Sequence, residues 1–267
     1  MCNLIFTTID YQVDDGIAHI ILKRPDQLNA VNSLMSKELP EMWKIFNDDN
    51  SAIVAIISGF GSKSFCVGAD LADLPDMDGD AGMASLESIK WTSLQNNIWK
   101  PVICAVNGIA CGGGLHFVAD SDIVIASDNA TFFDTHVKVG LVAGLEPVSL
   151  SRKIPLERVL RMSLIGGTEK IDANEAKSIG LISEITKNEN LMARAIEIAN
   201  NIKIHSPSAL AKTKKAIWQS QEMGLQDALL NAWKLISEQQ IHPDFEEGTK
   251  AFVEKRSPKW KPYNSNE

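Results

Sequence analysis

Cysteine is scarce in this chain, and its spacing pairs nothing. The 267 residues carry four, Cys2, Cys66, Cys104 and Cys111, with no C-x-x-C step. That argues against a disulfide scaffold or a zinc ribbon and reads as reduced, buried thiols in a cytoplasmic protein. Long apolar runs are lacking too. No stretch approaches the ~20 apolar residues of a membrane span, and no charged prefix with an apolar core opens the chain, so neither membrane insertion nor a secretory leader is expected. Basic runs are absent: 26 Lys and Arg stand against 34 Asp and Glu, for a formal net charge of −8. A surface that tracks nucleic-acid phosphates is therefore not expected. The nearest thing to a basic cluster, Lys212, Lys214 and Lys215, reads as a solvated helix face. No internal repeat and no low-complexity linker is evident. What remains is a soluble globular protein, 45% hydrophobic, large enough for one domain or for one domain with an appended subdomain.

The apolar residues that are present are organised. "GIAHIILKRP" (16–25), "SAIVAIISGFG" (51–61), "KPVICAVNG" (100–108) and "SDIVIAS" (121–127) are short apolar runs closed by Gly or Pro. Such runs suit strands covered on both faces. Between the first two, residues 31–49 place Leu34, Met35, Leu39, Met42, Ile45 and Phe46 at helical spacing, with Pro40 expected to kink or interrupt the helix. Alternating strands and helices point to right-handed βαβ units. From about residue 155 strand signals nearly vanish. "DANEAKSIGLI" reads as a helix capped by Asp172 and ended by Gly180, and "SPSALAKTKKAIWQSQ" opens on a Ser cap with Pro behind it. The chain thus divides into an α/β core over 1–200 and a helical part over 201–267, of the kind that packs on a neighbouring subunit.

"NGIACGGGLHFVADSDIVIAS" (107–127) poses the functional question. Three consecutive glycines are costly to order. A phosphate-binding P-loop needs a Lys that is absent here, and the spacing does not fit a dinucleotide fingerprint. A tight turn against a neighbouring strand is one reading. The other is an oxyanion hole, in which bare N–H groups at a helix start meet a developing negative oxygen. A second glycine segment, "SKSFCVGADLADL" (62–74), supports the latter by offering a second strand-to-helix turn, with Asp70 placed to cap a helix beginning near Leu71.

The pair "FCVGADL" and "PVICAVNGIACGGG" resembles the crotonase, or enoyl-CoA hydratase/isomerase, superfamily. The resemblance extends through "RPDQLNAVN" (24–32), "ATFFDTHVKVGLVAG" (130–144), "GGTEKIDANEAKSIGLISEI" (166–185) and "DFEEGTKAFVEKRSPKW" (244–260). It implies an α/β spiral of repeated ββα units with a helical C-terminal trimerisation region, assembled as a homotrimer or a dimer of trimers. It also implies an acyl-CoA thioester substrate, with coenzyme A carried as part of that substrate and no separate cofactor. By motif position, the N–H groups of Ala69 and Gly113 would hold the thioester oxygen. Gln27, Leu28, Ala30, Asp70 and Leu71 would contact the CoA moiety, and Lys255 its phosphates in another subunit.

The departures from the family pattern bear on the reaction. The two positions where family hydratases carry glutamates hold His116 and His136. An imidazole is a competent acid or base at neutral pH, and two facing imidazoles would keep one neutral. The alternative is a pair of packed, hydrogen-bonded histidines in a member with changed chemistry. A metal would need a third ligand, Glu146 or Asp134, and is not expected. Glu146 reads as a favourable charge in a helix first turn rather than a relocated carboxylate. Asp134 orients His136 only if the backbone there leaves a straight strand. Trp91 and Trp99 are candidates for the acyl pocket, though core burial is their commoner use. The functional expectation is a lyase or isomerase acting on an enoyl-CoA-like thioester through an enolate. The alternatives are hydrolysis of a thioester or a β-dicarbonyl carbon–carbon bond, and a non-catalytic acyl-CoA binder.

Overall fold

The computed structural model describes residues 6–75 and 89–264. Two sheets organise it. The larger has six strands in the order β1 (Ile9–Asp14), β2 (Ile17–Leu22), β3 (Val54–Gly59), β5 (Val102–Val106), β7 (Ile123–Ser127) and β10 (Glu184–Thr186). The smaller runs β4 (Ser64–Cys66), β6 (Ile109–Cys111), β8 (Thr131–Phe133) and β9 (Ile171–Asp172). β1 pairs with β2, and β8 with β9, antiparallel; the other pairings are parallel. The arrangement is a spiral. The successive pairs β3–β4, β5–β6 and β7–β8 each lay one strand in the large sheet and the next in the small one, stacking as repeated units.

The four apolar runs form β2, β3, β5 and β7, and every residue of β3 and β5 is buried. Strand alternation explains why the runs have no polar face. Val54, Ile56, Ile103, Ala105 and Ile125 pack under the helix Leu191–Lys203 through Leu191, Ala195 and Ala199. Ala55, Ile57, Val102, Cys104 and Val106 face the opposite way, into the main core with Met35, Leu39, Met42, Trp43 and Phe46. Those last five lie on α1 (Ser33–Asp48), whose start is capped by the Asn32 side chain accepting from Met35 N. The helix runs through Pro40 without interruption.

Helices α2 (Leu115–Asp120) and α3 (Leu145–Leu150) pack against each other beside the small sheet. α4 (Leu156–Ile165) and α5 (Ala173–Ser178) follow, then α6 (Leu191–Lys203), α7 (Pro207–Ser220), α8 (Leu225–Gln240) and α9 (Pro243–Glu254). Asp172 caps α5 as expected, accepting from Glu175 N. Ser206 caps α7 in the same way, accepting from Ala209 N. The C-terminal helices leave large apolar side chains in solvent, among them Leu225, Trp233, Ile241, Phe252 and Val253.

Two local expectations fail, at Lys214 and at Asp70. Lys214 is not on a solvated face: it is buried, 3.0 Å from Asp122, and donates to the Lys100 carbonyl. The strands β9 and β10, of two and three residues, lie in the region where strand signals nearly vanish. Beyond Asp70 the chain forms a turn rather than a helix start, with Asp70 accepting from Ala72 N, and residues 76–88 lie outside the described part. Cys66, Cys104 and Cys111 are free and buried, as read, while Cys2 lies outside the described residues.

Candidate active site

Two backbone segments meet at the end of the small sheet. Val31 pairs with Ala69 in a parallel bridge, in which Val31 N donates to Gly68 O at 2.8 Å and Asp70 N donates to Val31 O at 2.9 Å. Alternate peptide groups of an extended segment point opposite ways, so the Ala69 N–H is turned away from Val31. On the far side lies the glycine triplet, a 3-10 turn running into α2. The approach is close enough to dictate residue type. A Cβ on Gly68 would stand 2.6 Å from Gly113 N, and Gly68 already holds φ +89°. A Cβ on Gly114 would stand 2.2 Å from the Cys66 carbonyl oxygen. The glycines thus do pack as a tight turn on a neighbouring strand end, and the same packing brings Gly113 N beside the Gly68–Ala69 segment.

Arg24 ties the 24–32 loop to this meeting point. Its guanidinium pairs with Asp70 at 2.9 Å and donates to Ala30 O at 2.7 Å. Asn29, fully buried with φ +58°, donates from its amide to Phe60 O and Ser64 O. Gln27, Leu28, Ala30, Asp70 and Leu71 therefore lie on adjoining loops, with Leu71 exposed. Lys255 sits apart from them, in left-handed conformation at the C-terminal cap of α9.

Behind the glycines is a chain of polar side chains. His116, in the first turn of α2, is 4% exposed; its Nε2 stands 3.2 Å from Glu146 Oε1. Its ring lies edge-on to Trp91 with centroids 5.8 Å apart. The Nε2 of His136 reaches the same Glu146 oxygen at 4.0 Å. The other nitrogen of His136, Nδ1, lies 2.9 Å and 3.1 Å from the two oxygens of Asp134, which is fully buried. Asp134 also accepts from His136 N at 2.8 Å, because the chain turns as soon as β8 ends at Phe133. That turn satisfies the condition under which Asp134 orients His136. A Cβ on Gly112 would lie 3.6 Å from His136 Cε1, which places this ring against the triplet.

Glu146 corrects the sequence reading. It is buried and held between the two imidazoles, so it is a carboxylate of the site rather than a surface charge in a helix first turn. The Asp134 hydrogen bond, helped by the charges of Asp134 and Glu146, lifts His136 above the ordinary histidine value, against the opposing effect of burial. Burial likewise pushes the Asp120 carboxyl up, opposed by a hydrogen bond from the Thr92 hydroxyl. Among the described residues no cluster of three or more His, Cys, Asp or Glu is arranged to hold a metal ion. The tryptophans separate. Trp91 is buried, and its ring would meet a Cβ on Gly113 at 2.9 Å, so it forms the wall of the triplet. Trp99 lies elsewhere, beneath Lys215 with the ammonium 5.8 Å from the ring centre.

Two participants carried no sequence signal. Arg24 lies in the 24–32 loop with its partner Asp70 on a different loop, and Gln95, whose amide nitrogen is 3.4 Å from His116 Nδ1, lies in an unpatterned turn.

Comparison with known proteins now adds identity to geometry. The sequence profile of the family described as Enoyl-CoA hydratase/isomerase matches residues 12–263. The chain is 34% identical over 251 residues to an (E)-benzylidenesuccinyl-CoA hydratase of Thauera aromatica, covering 94% of this chain and 97% of that protein. It is 33% identical over 248 residues to a short-chain-enoyl-CoA hydratase of Clostridium acetobutylicum, with 90% and 92% covered. A solved enoyl-CoA hydratase/isomerase from Mycobacterium paratuberculosis superposes with a TM-score of 0.89 at 39% identity, covering 96% of this chain and 99% of that one.

Proposed function

The chain belongs to the enoyl-CoA hydratase/isomerase, or crotonase, family, and from that premise we propose that it is a hydratase-type lyase acting on an enoyl-CoA-like thioester, with Asp134–His136 and Glu146 in place of the usual glutamate pair. The observation that carries this reading is the run Asp134–His136–Glu146–His116, buried except at the half-buried His136, laid directly behind the glycine triplet. Relatives named as hydratases of CoA thioesters point the same way.

In this reading the Ala69 and Gly113 N–H groups hold the thioester oxygen, which gains charge when the neighbouring carbons react. Removing one such donor costs about 3–4 kcal/mol in comparable sites. With Nδ1 engaged by Asp134, His136 presents Nε2 as its basic atom, and Glu146 holds the water alongside. The water oxygen bonds to Cβ while its proton passes to His136 Nε2. The C=C electrons shift onto the thioester oxygen as an enolate. The enolate then takes that proton at Cα, so one water is added and the site returns to its starting state. The loops bearing Gln27, Leu28, Ala30, Asp70 and Leu71, pinned by Arg24, contact the CoA moiety, which enters as part of the substrate. Lys255 meets its phosphates only from a neighbouring subunit, in keeping with the exposed apolar residues on α8 and α9 and with a cytoplasmic homotrimer or dimer of trimers.

A hydrogen-bonded Asp–His pair is also an arrangement that activates water, which keeps thioester or β-dicarbonyl hydrolysis as the second reading. A panel of acyl-CoA thioesters followed by mass spectrometry separates the cases. Gain of one water by an enoyl-CoA, lost in His136→Ala, is the expected result. Release of free CoA would establish the hydrolase instead, and tight binding with no product a non-catalytic acyl-CoA binder.

A further inference from the structure

Gln95 is oriented by its surroundings. Its side-chain oxygen accepts from two backbone donors, Trp91 N at 2.8 Å and Thr92 N at 3.1 Å. Two N–H groups cannot face an NH2, so the amide cannot flip, and the end turned to His116 Nδ1 is the donor. A donor facing Nδ1 needs a lone pair there. The remaining imidazole proton then sits on Nε2, which faces Glu146 Oε1 at 3.2 Å. The ring is buried and packed edge-on against Trp91 in this orientation.

We propose that Gln95 is a positioning residue: it holds His116 as the neutral Nε2–H tautomer, so that His116 is a fixed hydrogen-bond donor to Glu146 and the proton is carried by His136 alone. This divides labour between two residues of the same type. His136 has an acceptor, Asp134, at Nδ1, and His116 has a donor there. Opposite second partners give the two rings opposite tautomers. The charged and titratable groups around His116 are Glu146 and, beyond it, His136 with Asp134. Asp120 adds a carboxyl from its own helix, with Lys153 and Lys214 behind.

The inference rests on the proposed site, and its test is independent of turnover. The tautomers are read by nitrogen-15 NMR of histidine-labelled protein, beside Gln95→Glu. That variant keeps an oxygen for Trp91 N and Thr92 N but replaces the donor with an acceptor, so a Gln95 that sets the tautomer predicts its inversion and a purely structural Gln95 predicts the same tautomer. The expected result is Nε2–H at His116 and Nδ1–H at His136 in the wild type at alkaline pH. In Gln95→Glu, at the same alkaline pH, the His116 proton should move to Nδ1, where it now meets an acceptor. Nδ1–H at His116 in the wild type, or an unchanged tautomer in the variant, overturns the proposal. If instead the tautomers are as stated and no acyl-CoA thioester is converted, the functional reading fails and this one stands.

Discussion

Replacing Asp134 with Asn changes one acceptor oxygen into a donor and little else, and the local geometry decides which one. His136 N donates to Oδ1 at 2.8 Å, so the amide oxygen must stay there. The NH2 then occupies the Oδ2 position, 2.9 Å from His136 Nδ1. Nδ1 has to become an acceptor, which moves the ring proton to Nε2, the atom assigned to take the proton from water. The variant therefore presents the wrong tautomer in an almost unchanged frame. Loss of positioned proton transfer is worth about 10²–10⁴-fold, so kcat/KM for enoyl-CoA hydration should fall within that span while the melting temperature shifts little. The profile should change as well. Wild-type hydration should decline as pH falls through a His136 value raised above the histidine norm, and the Asn variant should lose that displacement. A folded Asp134→Asn protein within about threefold of wild-type kcat/KM, with an unmoved acid limb, would refute the reasoning.

Stability should show the same pair. A histidine raised in the folded state contributes fully below its unfolded value and loses that contribution as pH rises through the folded one. The stability gap between wild type and His136→Asn, measured by denaturant unfolding, should accordingly narrow toward alkaline pH. Gly68→Ala combines a left-handed φ with a 2.6 Å backbone approach, and should lose about 2–5 kcal/mol in the same assay. Gly113→Ala has no such φ and meets the Trp91 ring at 2.9 Å and Gly68 Cα at 3.3 Å, so Trp91→Phe should restore part, not all, of its loss in a double-mutant cycle. Lys214→Ala removes the cation from the half-buried Asp122, which keeps its hydrogen bonds from Val102 N and Trp218 Nε1, and should cost about 1–3 kcal/mol, whereas Lys212→Ala should cost about 0.5 kcal/mol or less.

Much of this was legible in the sequence because burial on both faces writes a plain signal. β2, β3, β5 and β7 are mostly apolar on both faces, with His19, Ser58 and Ser127 the exceptions, since helices or the second sheet cover each side. The small sheet was not legible, because strands of two or three residues such as β4, β6 and β9 are too short for any period. The repeat is likewise structural: its units share a path, not a sequence pattern. The glycine triplet announced a close backbone approach, and the structure supplies one against Gly68. Glu146 was misread because a carboxylate in a helix first turn looks the same whether that turn faces solvent or a neighbouring helix, and only the packing of α3 on α2 decides. Lys214 was misread for the same reason, since its partner Asp122 lies far away in sequence. Gln95 gave no hint at all: its role depends on which end of its amide two backbone donors select.

The account stands or falls on where the thioester sits. A crystal structure with a bound, slowly reacting enoyl-CoA analogue would show it directly. The account predicts the thioester oxygen about 2.7–3.1 Å from both Ala69 N and Gly113 N, with Cβ facing His136 Nε2 and Glu146. A thioester oxygen that meets neither N–H, or an acyl chain directed away from His136, would contradict it.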